Sequence, residues 1–352
     1  MRQAYLTAPR TIEWRDSTAP KPGPGEILVR VRAALTCGTD LKTYRRGHSK
    51  LQYGPFGHEA SGDVIAIGKG VDRFAKSDAV MWVQTAPCGE CDKCVRGFEN
   101  LCDRLFDDIA LGAYGDELLL PAKVVRQNVY KKPEKLSYIE AAFLEPFACV
   151  VHGWNVLRRA DARKPLPSDV TIIGAGTIGL LHLIYAVRAG VNATVIARGD
   201  ERRGLATSLG AKVVVDAEDV GAVEALAGSA TAVIECAGTQ ETWTQAASLV
   251  RSGGRVLLFS GLPSGATAQF DAAKIHYGEI ALLGAFHFTP ADVREAYELL
   301  GRGGIDVKPL VSGVDKMDDL VSVFDRLDRR EGYKFALVPN VLTTDGEALS
   351  WI

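Results

Sequence analysis

Charge of one sign is what this sequence lacks most plainly: 41 lysines and arginines face 43 aspartates and glutamates, for a formal net charge of −2. No global field draws such a chain to nucleic acid or to an anionic membrane, so the expected partner is a small molecule. Long hydrophobic runs are missing too. No stretch reaches the ~20 apolar residues that a membrane-crossing helix needs. The opening MRQAYLTAPRTIEW has no continuous apolar segment of the kind a secretory leader carries. The expected address is a reducing cytoplasm. Repeats of fixed period and low-complexity tracts are absent as well, which excludes solenoid and fibrous architectures.

Cysteine is sparse, but four of the seven lie between Cys88 and Cys102 as C-x2-C-x2-C-x7-C. That spacing lets Cys88, Cys91, Cys94 and Cys102 converge on one ion at ~2.3 Å with tetrahedral geometry, the pattern of a closed structural zinc site. A disulfide pair is the alternative, and a chain of 352 residues without a secretory leader has no need of one. Four protein ligands leave no position for substrate. Such a site stabilises a lobe, and the chemistry must lie elsewhere.

The length suggests about two domains at ~150 residues each, and 47% hydrophobic residues suffice for a core in both. Up to about residue 145 the chain shows short β-like runs broken by glycine and proline, at Ile27 to Val31, Ala60 to Ile67, Ala79 to Val83 and Glu117 to Leu120. The rhythm then changes to alternating strand and helix. A strand at Val170 to Ile173, a helix at Ile178 to Ala189 and a strand at Ala193 to Ile196 open the series. Further strands are expected at Lys212 to Val215, Ala232 to Glu235, Arg255 to Ser260 and Ile280 to Leu283. Such alternation predicts right-handed βαβ units and a parallel, doubly wound sheet. Arg158 to Ser168, basic and carrying Pro165 and Pro167, reads as a surface connector. After residue 284 come a helix at Pro290 to Leu300, a run at Ile305 to Val311 and a helix near Asp318 to Leu327, expected to return to the first lobe.

Gly174, Gly176 and Gly179 form G-x-G-x-x-G between the first of these strands and its helix, together with Thr177 and Ile178. In that position the glycines permit a tight turn, close approach of a pyrophosphate, and close helix-to-strand packing, with the phosphates on a free helix N-terminus. A glycine turn without a ligand is the competing interpretation. Some 20 residues on, where an acid normally meets the ribose of NAD, stands Ala197 followed by Arg198. A small neutral residue beside a guanidinium favours the 2′-phosphate of NADP, and Arg202 and Arg203 add positive potential. Asp200 is the rival candidate for the ribose, and Arg198 as a solvated surface charge the bland one. Cys236 and Gly238 end a strand at the same edge, where their backbone can approach the nicotinamide side.

In the β lobe, Cys37-Gly38-Thr39-Asp40 is followed by Gly57-His58-Glu59. One thiolate, one imidazole and one or two carboxylates make an incomplete set around zinc, and the position left over is what Lewis-acid catalysis requires. These two segments, the four-cysteine cluster, Glu145-Pro146 and the glycine fingerprint stand in the order that resembles the zinc-dependent medium-chain dehydrogenases, over nearly the whole chain. The Glu145-Pro146 pair resembles the polyol (sorbitol) and threonine dehydrogenase branch.

The resemblance implies a GroES-like, mostly-β catalytic domain over residues 1–148, a Rossmann domain over 149–283, and a return to the catalytic domain over 284–352. It implies Cys37, His58 and Glu59 as zinc ligands, Glu145 as a carboxylate that ligates the metal or holds its water, and Thr39 as the hydroxyl that relays the substrate proton. Where many members have a histidine three positions after that hydroxyl, this chain has Lys42, which could touch the cofactor while His48 or water completes the route. The basic stretch Lys42 to Lys50, with Arg45, Arg46 and His48, suggests an anionic group on the substrate, and a solvated face is the competing and favoured interpretation. The implied activity is hydride transfer between a secondary alcohol, such as a polyol, sugar alcohol or cyclitol, and NADP or NAD, with one catalytic and one structural zinc per chain, in a homodimer or homotetramer. An amino-alcohol dehydrogenase of the threonine type and a non-catalytic nucleotide-binding protein with structural zinc only are the alternatives.

Overall fold

The computed structural model describes residues 1–47, 53–161 and 166–339, and the chain forms two compact units. The first comprises Met1–Ala148, Phe288–Gly303 and the described residues from Val307 on; the second comprises Cys149–His287 and Gly304–Asp306.

Eight strands open the first unit: β1 (Arg2–Ala8), β2 (Thr11–Asp16), β3 (Ile27–Leu35), β4 (Gly54–Pro55), β5 (Glu59–Ile67), β6 (Ala79–Trp82), β7 (Glu117–Leu120) and β8 (Val129–Lys131). All pairings among them are antiparallel. β1 lies between β2 and β4, and β3 pairs with both β5 and β7. β3 is buried at both ends and alternates only at its centre, where Arg30 is exposed between buried Val29 and Val31. The core of this unit holds Tyr44, Phe56, Tyr114 and Phe324, whose rings meet at centroid separations of 5.1 to 6.0 Å.

The second unit is a six-stranded parallel sheet of β9 (Asp169–Ile173), β10 (Asn192–Ala197), β11 (Val213–Asp216), β12 (Ala230–Glu235), β13 (Val250–Leu258) and β14 (Ala281–Gly284), in the order β11-β10-β9-β12-β13-β14. Every residue of β12 is buried, as expected where helices cover both faces. The chain direction across the sheet reverses between β9 and β12, which makes their C-terminal ends the crevice where such folds take ligands.

Two further strands, β15 (Val311–Lys316) and β16 (Lys334–Val338), belong to the first unit. β16 pairs antiparallel with β3 through Ala336↔Leu35 and Leu337↔Ala34, and β15 lies parallel beside it. The helix Pro290–Gly301 ahead of them starts on a capping box between Thr289 and Asp292, with proline in its first turn.

The fold class is the mixed one expected: a mostly-β unit and a doubly wound parallel unit. The connector reading of residues 158–168 is corrected at its start, because a helix runs over Leu144–Ala160. Arg158 and Arg159 occupy its last turn, where cations oppose the negative end of the helix dipole, and the Arg158 guanidinium lies over the Tyr185 ring. The expected helix near Asp318 to Leu327 is a 3-10 turn, Met317–Asp319, followed by the helix Leu320–Asp328. His48, Lys50 and the C-terminal stretch lie outside the described residues.

Candidate metal centres and dinucleotide site

A one-turn helix, Asp92–Val95, and a 3-10 turn, Glu99–Leu101, bring the four clustered cysteines together. Sγ atoms stand 3.5 Å apart for Cys91 and Cys94, 3.9 Å for Cys91 and Cys102, and 4.0 Å for Cys88 and Cys94. A tetrahedron with ~2.3 Å bonds has edges of ~3.8 Å, so these donors fit a zinc ion without rearrangement. Backbone N–H groups of Glu90 and Cys91 hold the Cys88 thiol down to about 6, which favours the thiolate a metal requires. Burial pushes Cys94 up to about 12. A thiol so placed gives up its proton to a metal rather than to water.

The second cluster lies around the start of the helix Gly38–Arg46. Cys37 is the residue that caps this helix, its Sγ accepting from the Thr39 N–H at 3.3 Å. One donor atom each from Cys37, His58 and Glu59 lie within 4.8 Å of one another. Asp40, one turn into the helix, meets Nδ1 of His58 at 2.9 Å through Oδ1, and its Oδ2 accepts from the Tyr114 hydroxyl at 2.7 Å. This carboxylate fixes the imidazole so that Nε2 is the nitrogen left for a metal. Burial lowers the His58 pKa, yet the charges of Asp40 and Cys37 outweigh it and hold the ring well above the ordinary histidine value.

Glu59 is fully buried. Its Oε2 is bonded by Lys334 of β16, whose Nζ also donates to the Thr36 carbonyl at 2.7 Å. Its Oε1 has no partner. Burial raises the Glu59 carboxyl to about 7 against the opposing pull of Lys334. An orphaned buried carboxylate oxygen beside a thiol and an oriented imidazole is a donor set that suits zinc and leaves a coordination position over. Glu145 is not in the mutually close set found among the described residues. It lies near enough for its charge to act on Glu59, and its Oε1 accepts from Nε2 of Gln84 at 2.8 Å. Thr39 and Lys42 are exposed on the first turns of the same helix, on the side open to solvent.

In the doubly wound unit Gly174 follows β9 with φ of 102°, a conformation that only glycine adopts freely, and Gly176 caps the helix Thr177–Arg188. A Cβ on Gly179 would stand 1.8 Å from the Gly174 carbonyl oxygen, so no other residue fits there. Thr177 and Ile178 are half-buried at the mouth of this turn. Ala197 is buried at the end of β10 and Arg198 is exposed directly after it. Arg203 differs from expectation: its guanidinium is paired with Asp200 and Asp216, so its charge is largely compensated. Arg202 instead reaches the glycine turn, Nη1 donating to the Ala175 carbonyl at 3.1 Å. Cys236 and Gly238 lie on a loop that passes within 3.2 Å of where a Gly174 Cβ would stand. Beneath it, buried Glu235 accepts through Oε1 from the N–H groups of Ala237 and Gly238, each at 2.7 Å, and from the Thr242 hydroxyl at 2.8 Å.

Asp40 stood inside a recognised segment without a role, and Tyr114, Gln84, Lys334 and Glu235 gave no sequence signal of their own. The one available hint was charge at the margin of a buried strand: Lys334 opens the apolar run Phe335 to Val338, and Glu235 closes Ala230 to Ile234.

Comparison with known proteins agrees with this division of labour. Residues 23–134 match the family model described as Alcohol dehydrogenase GroES-like domain, and residues 177–302 match that described as Zinc-binding dehydrogenase. The alcohol dehydrogenase of Geobacillus stearothermophilus is 30% identical over 332 residues, 91% of this chain and 93% of that protein. The sorbitol dehydrogenase of Bacillus subtilis (strain 168) is 27% identical over 354 residues, 97% and 98% of the two chains. A Sinorhizobium meliloti 1021 protein whose solved structure holds NADP is 30% identical with a TM-score of 0.87, covering 96% of this chain and 99% of that one.

Proposed function

Because this chain belongs to the zinc-dependent medium-chain dehydrogenases, we propose that it oxidises a secondary alcohol of the polyol, sugar-alcohol or cyclitol class, and reduces the corresponding carbonyl, with NADP favoured over NAD. The observation that carries this reading is the Cys37, His58 and Glu59 set, in which Glu59 Oε1 is buried and unpartnered. Zinc held there would supply Lewis acidity toward an alcohol or carbonyl oxygen, and a bound nicotinamide would exchange hydride with the same carbon.

The remaining work falls to this chain's own residues. Asp40 orients His58, and Lys334 offsets the Glu59 charge. Glu145, held by Gln84, would adjust ligand exchange at the metal. Thr39, exposed beside Cys37, would pass the alcohol proton outward, with Lys42 or water beyond it. The glycine turn would seat the pyrophosphate on the helix Thr177–Arg188. Ala197 leaves room for a 2′-phosphate and Arg198 offers it a donor pair, in keeping with the NADP held by the Sinorhizobium relative. The four-cysteine lobe would hold a second zinc with no part in the chemistry.

A screen of secondary alcohols with both cofactors, read by absorbance of the reduced nicotinamide and paired with zinc analysis, tests the reading. Two zinc ions per chain and loss of turnover in Cys37→Ser are expected. One ion per chain in active enzyme, with Cys37→Ser unimpaired, would refute it. In the same assay Arg198→Asp lowers kcat/KM for NADP at least ~10-fold more than for NAD, the scale of one charge-assisted contact; equal losses would remove the argument from that position.

A further inference from the structure

β12 closes on a buried carboxyl, Glu235, a group that burial disfavours unless it is bonded. The strand end itself does not need this side chain. The Glu235 carbonyl already accepts from the N–H groups of Phe259 and Ser260 beyond β13, each at 3.2 Å, and the next N–H along, that of Cys236, reaches the Ile173 carbonyl of β9 at 2.8 Å. The side chain serves the loop that follows. Two successive N–H groups, of Ala237 and Gly238, converge on its Oε1, a nest whose anion is the chain's own carboxylate.

The peptide planes fix what the other side of the loop presents. N–H and C=O of a trans peptide point in opposite directions, so holding these two N–H groups inward turns the carbonyls of Cys236 and Ala237 outward. No described residue donates to either carbonyl. Ala237 is exposed and Cys236 half-buried, at the C-terminal end of β12 beside β9, where the ligand crevice of the sheet lies. The loop also abuts the glycine turn: a Cβ on Gly174 would stand 3.1 Å from the Ala237 nitrogen.

We propose that Glu235 is a positioning residue for the dinucleotide: by taking the Ala237 and Gly238 N–H groups it presents the Cys236 and Ala237 carbonyls to the crevice as a preformed acceptor pair for donor groups of the cofactor. The inference rests on the dehydrogenase reading above and deepens its cofactor site. Two carbonyl oxygens repel phosphate, so the loop faces an uncharged part of the dinucleotide and leaves the pyrophosphate to the glycine turn. Without the carboxylate the two peptides are free to turn over, and the cofactor must order them as it binds.

The test is calorimetric affinity for NADPH and NADH, measured on the zinc-loaded protein in wild type, Glu235→Gln and Glu235→Ala. The amide oxygen of Glu235→Gln still accepts from both N–H groups, and its NH2 falls where Oε2 has no partner to lose. Affinity is expected to fall ~3- to 10-fold in Glu235→Gln, because a charged acceptor bonds about twice as strongly as a neutral one, and ~30- to 100-fold in Glu235→Ala. In turnover the loss lies in KM for the cofactor, with KM for the alcohol and zinc content unchanged. Asp169 supplies the control for a merely structural role. At the opposite end of β9 and β12 it accepts from the Thr231 N–H at 2.7 Å and from the Thr231 and Ser168 hydroxyls at 2.6 and 2.7 Å. Asp169→Ala lowers the melting temperature but keeps cofactor affinity within about threefold of wild type. Equal losses of affinity in Asp169→Ala and Glu235→Ala overturn the proposal, and so does Glu235→Ala within about twofold of wild type. If Glu235→Ala does not fold, Glu235→Gln decides, and affinity within about twofold of wild type overturns the proposal. A wild type that binds neither cofactor refutes the cofactor site itself, and this inference with it; binding that the Glu235 variants leave intact refutes this inference alone.

Discussion

His182 offers the cleanest measurement of what burial costs in this protein. Its ring is fully buried in the second unit, edge-on to Phe259 at 4.7 Å and near Trp154 at 6.4 Å, and neither nitrogen has a hydrogen-bond partner. Burial alone pushes it down to about 3, so the native ring is neutral throughout the physiological range. The unfolded chain binds a proton below about 6.5 and the native chain does not until about 3, so stability present above 6.5 is lost as pH falls through that window. Between pH 7 and pH 5 the loss comes to about 2 kcal/mol, from ~1.36 kcal/mol per unit once the unfolded ring is titrated. Replacing His182 by leucine removes the loss. It also removes two unsatisfied nitrogens, so the variant should be about 1 kcal/mol more stable at pH 7. Urea melts of both proteins at pH 7 and pH 5, followed by circular dichroism, give the double difference, in which every other titrating group cancels. Equal pH dependence in the two proteins would refute the reasoning, because it would mean that the native ring finds a proton or a partner in place.

In the zinc-free protein Lys334→Met leaves the Glu59 carboxylate buried without its counter-ion, and breaking a buried pair from one side costs about 3–5 kcal/mol. At roughly 2–4 °C per kcal/mol for a unit of this size, calorimetry should show the first unit melting ~6–20 °C lower, with Lys334→Arg well above Lys334→Met; a shift under about 2 °C would show the pair to be dispensable. Asp40→Asn keeps shape but weakens the hold on His58, so one of the two zinc ions should pass to a competing chelator at ~10- to 100-fold lower chelator concentration while the four-cysteine ion stays. Loss of both ions together would mean that Asp40 supports the fold rather than the site.

Periodicity and motif order made most of this architecture legible. Val170 to Ile173, Ala193 to Ile196 and Ala232 to Glu235 are apolar, β-branched runs of the length a buried parallel strand requires, and each grew by only a residue or two at its ends. Gly174 and Gly179 were readable from the spacing of the motif, and the structure gives the reason: a φ of 102° at Gly174 and no room for a Cβ at Gly179. The paired strands Arg2–Ala8 and Thr11–Asp16 went unread: the second is largely exposed, and the tight turn between them places Arg10 at φ of 59° without a glycine to announce it. The helix Leu144–Ala160 was hidden by Pro146, which is tolerated because it falls in the first turn, where no intrahelical bond is forfeited. At the candidate site the donors were legible from residue type and spacing. Asp40, Gln84 and Lys334 were not, because a supporting contact is fixed by distance in space: Lys334 reaches Glu59 across 275 positions of sequence and Gln84 reaches Glu145 across 61.

That first separation has a bearing on biogenesis. At ~5–20 residues per second of synthesis, Lys334 leaves the ribosome roughly 15 to 55 seconds after Glu59, which it follows by 275 residues. Throughout that interval Glu59 lacks the cation that favours its charged form, so a β5 buried early would carry the protonated acid until β16 arrives. A chain stopped ahead of residue 334 lacks both this cation and the strand that pairs with β3.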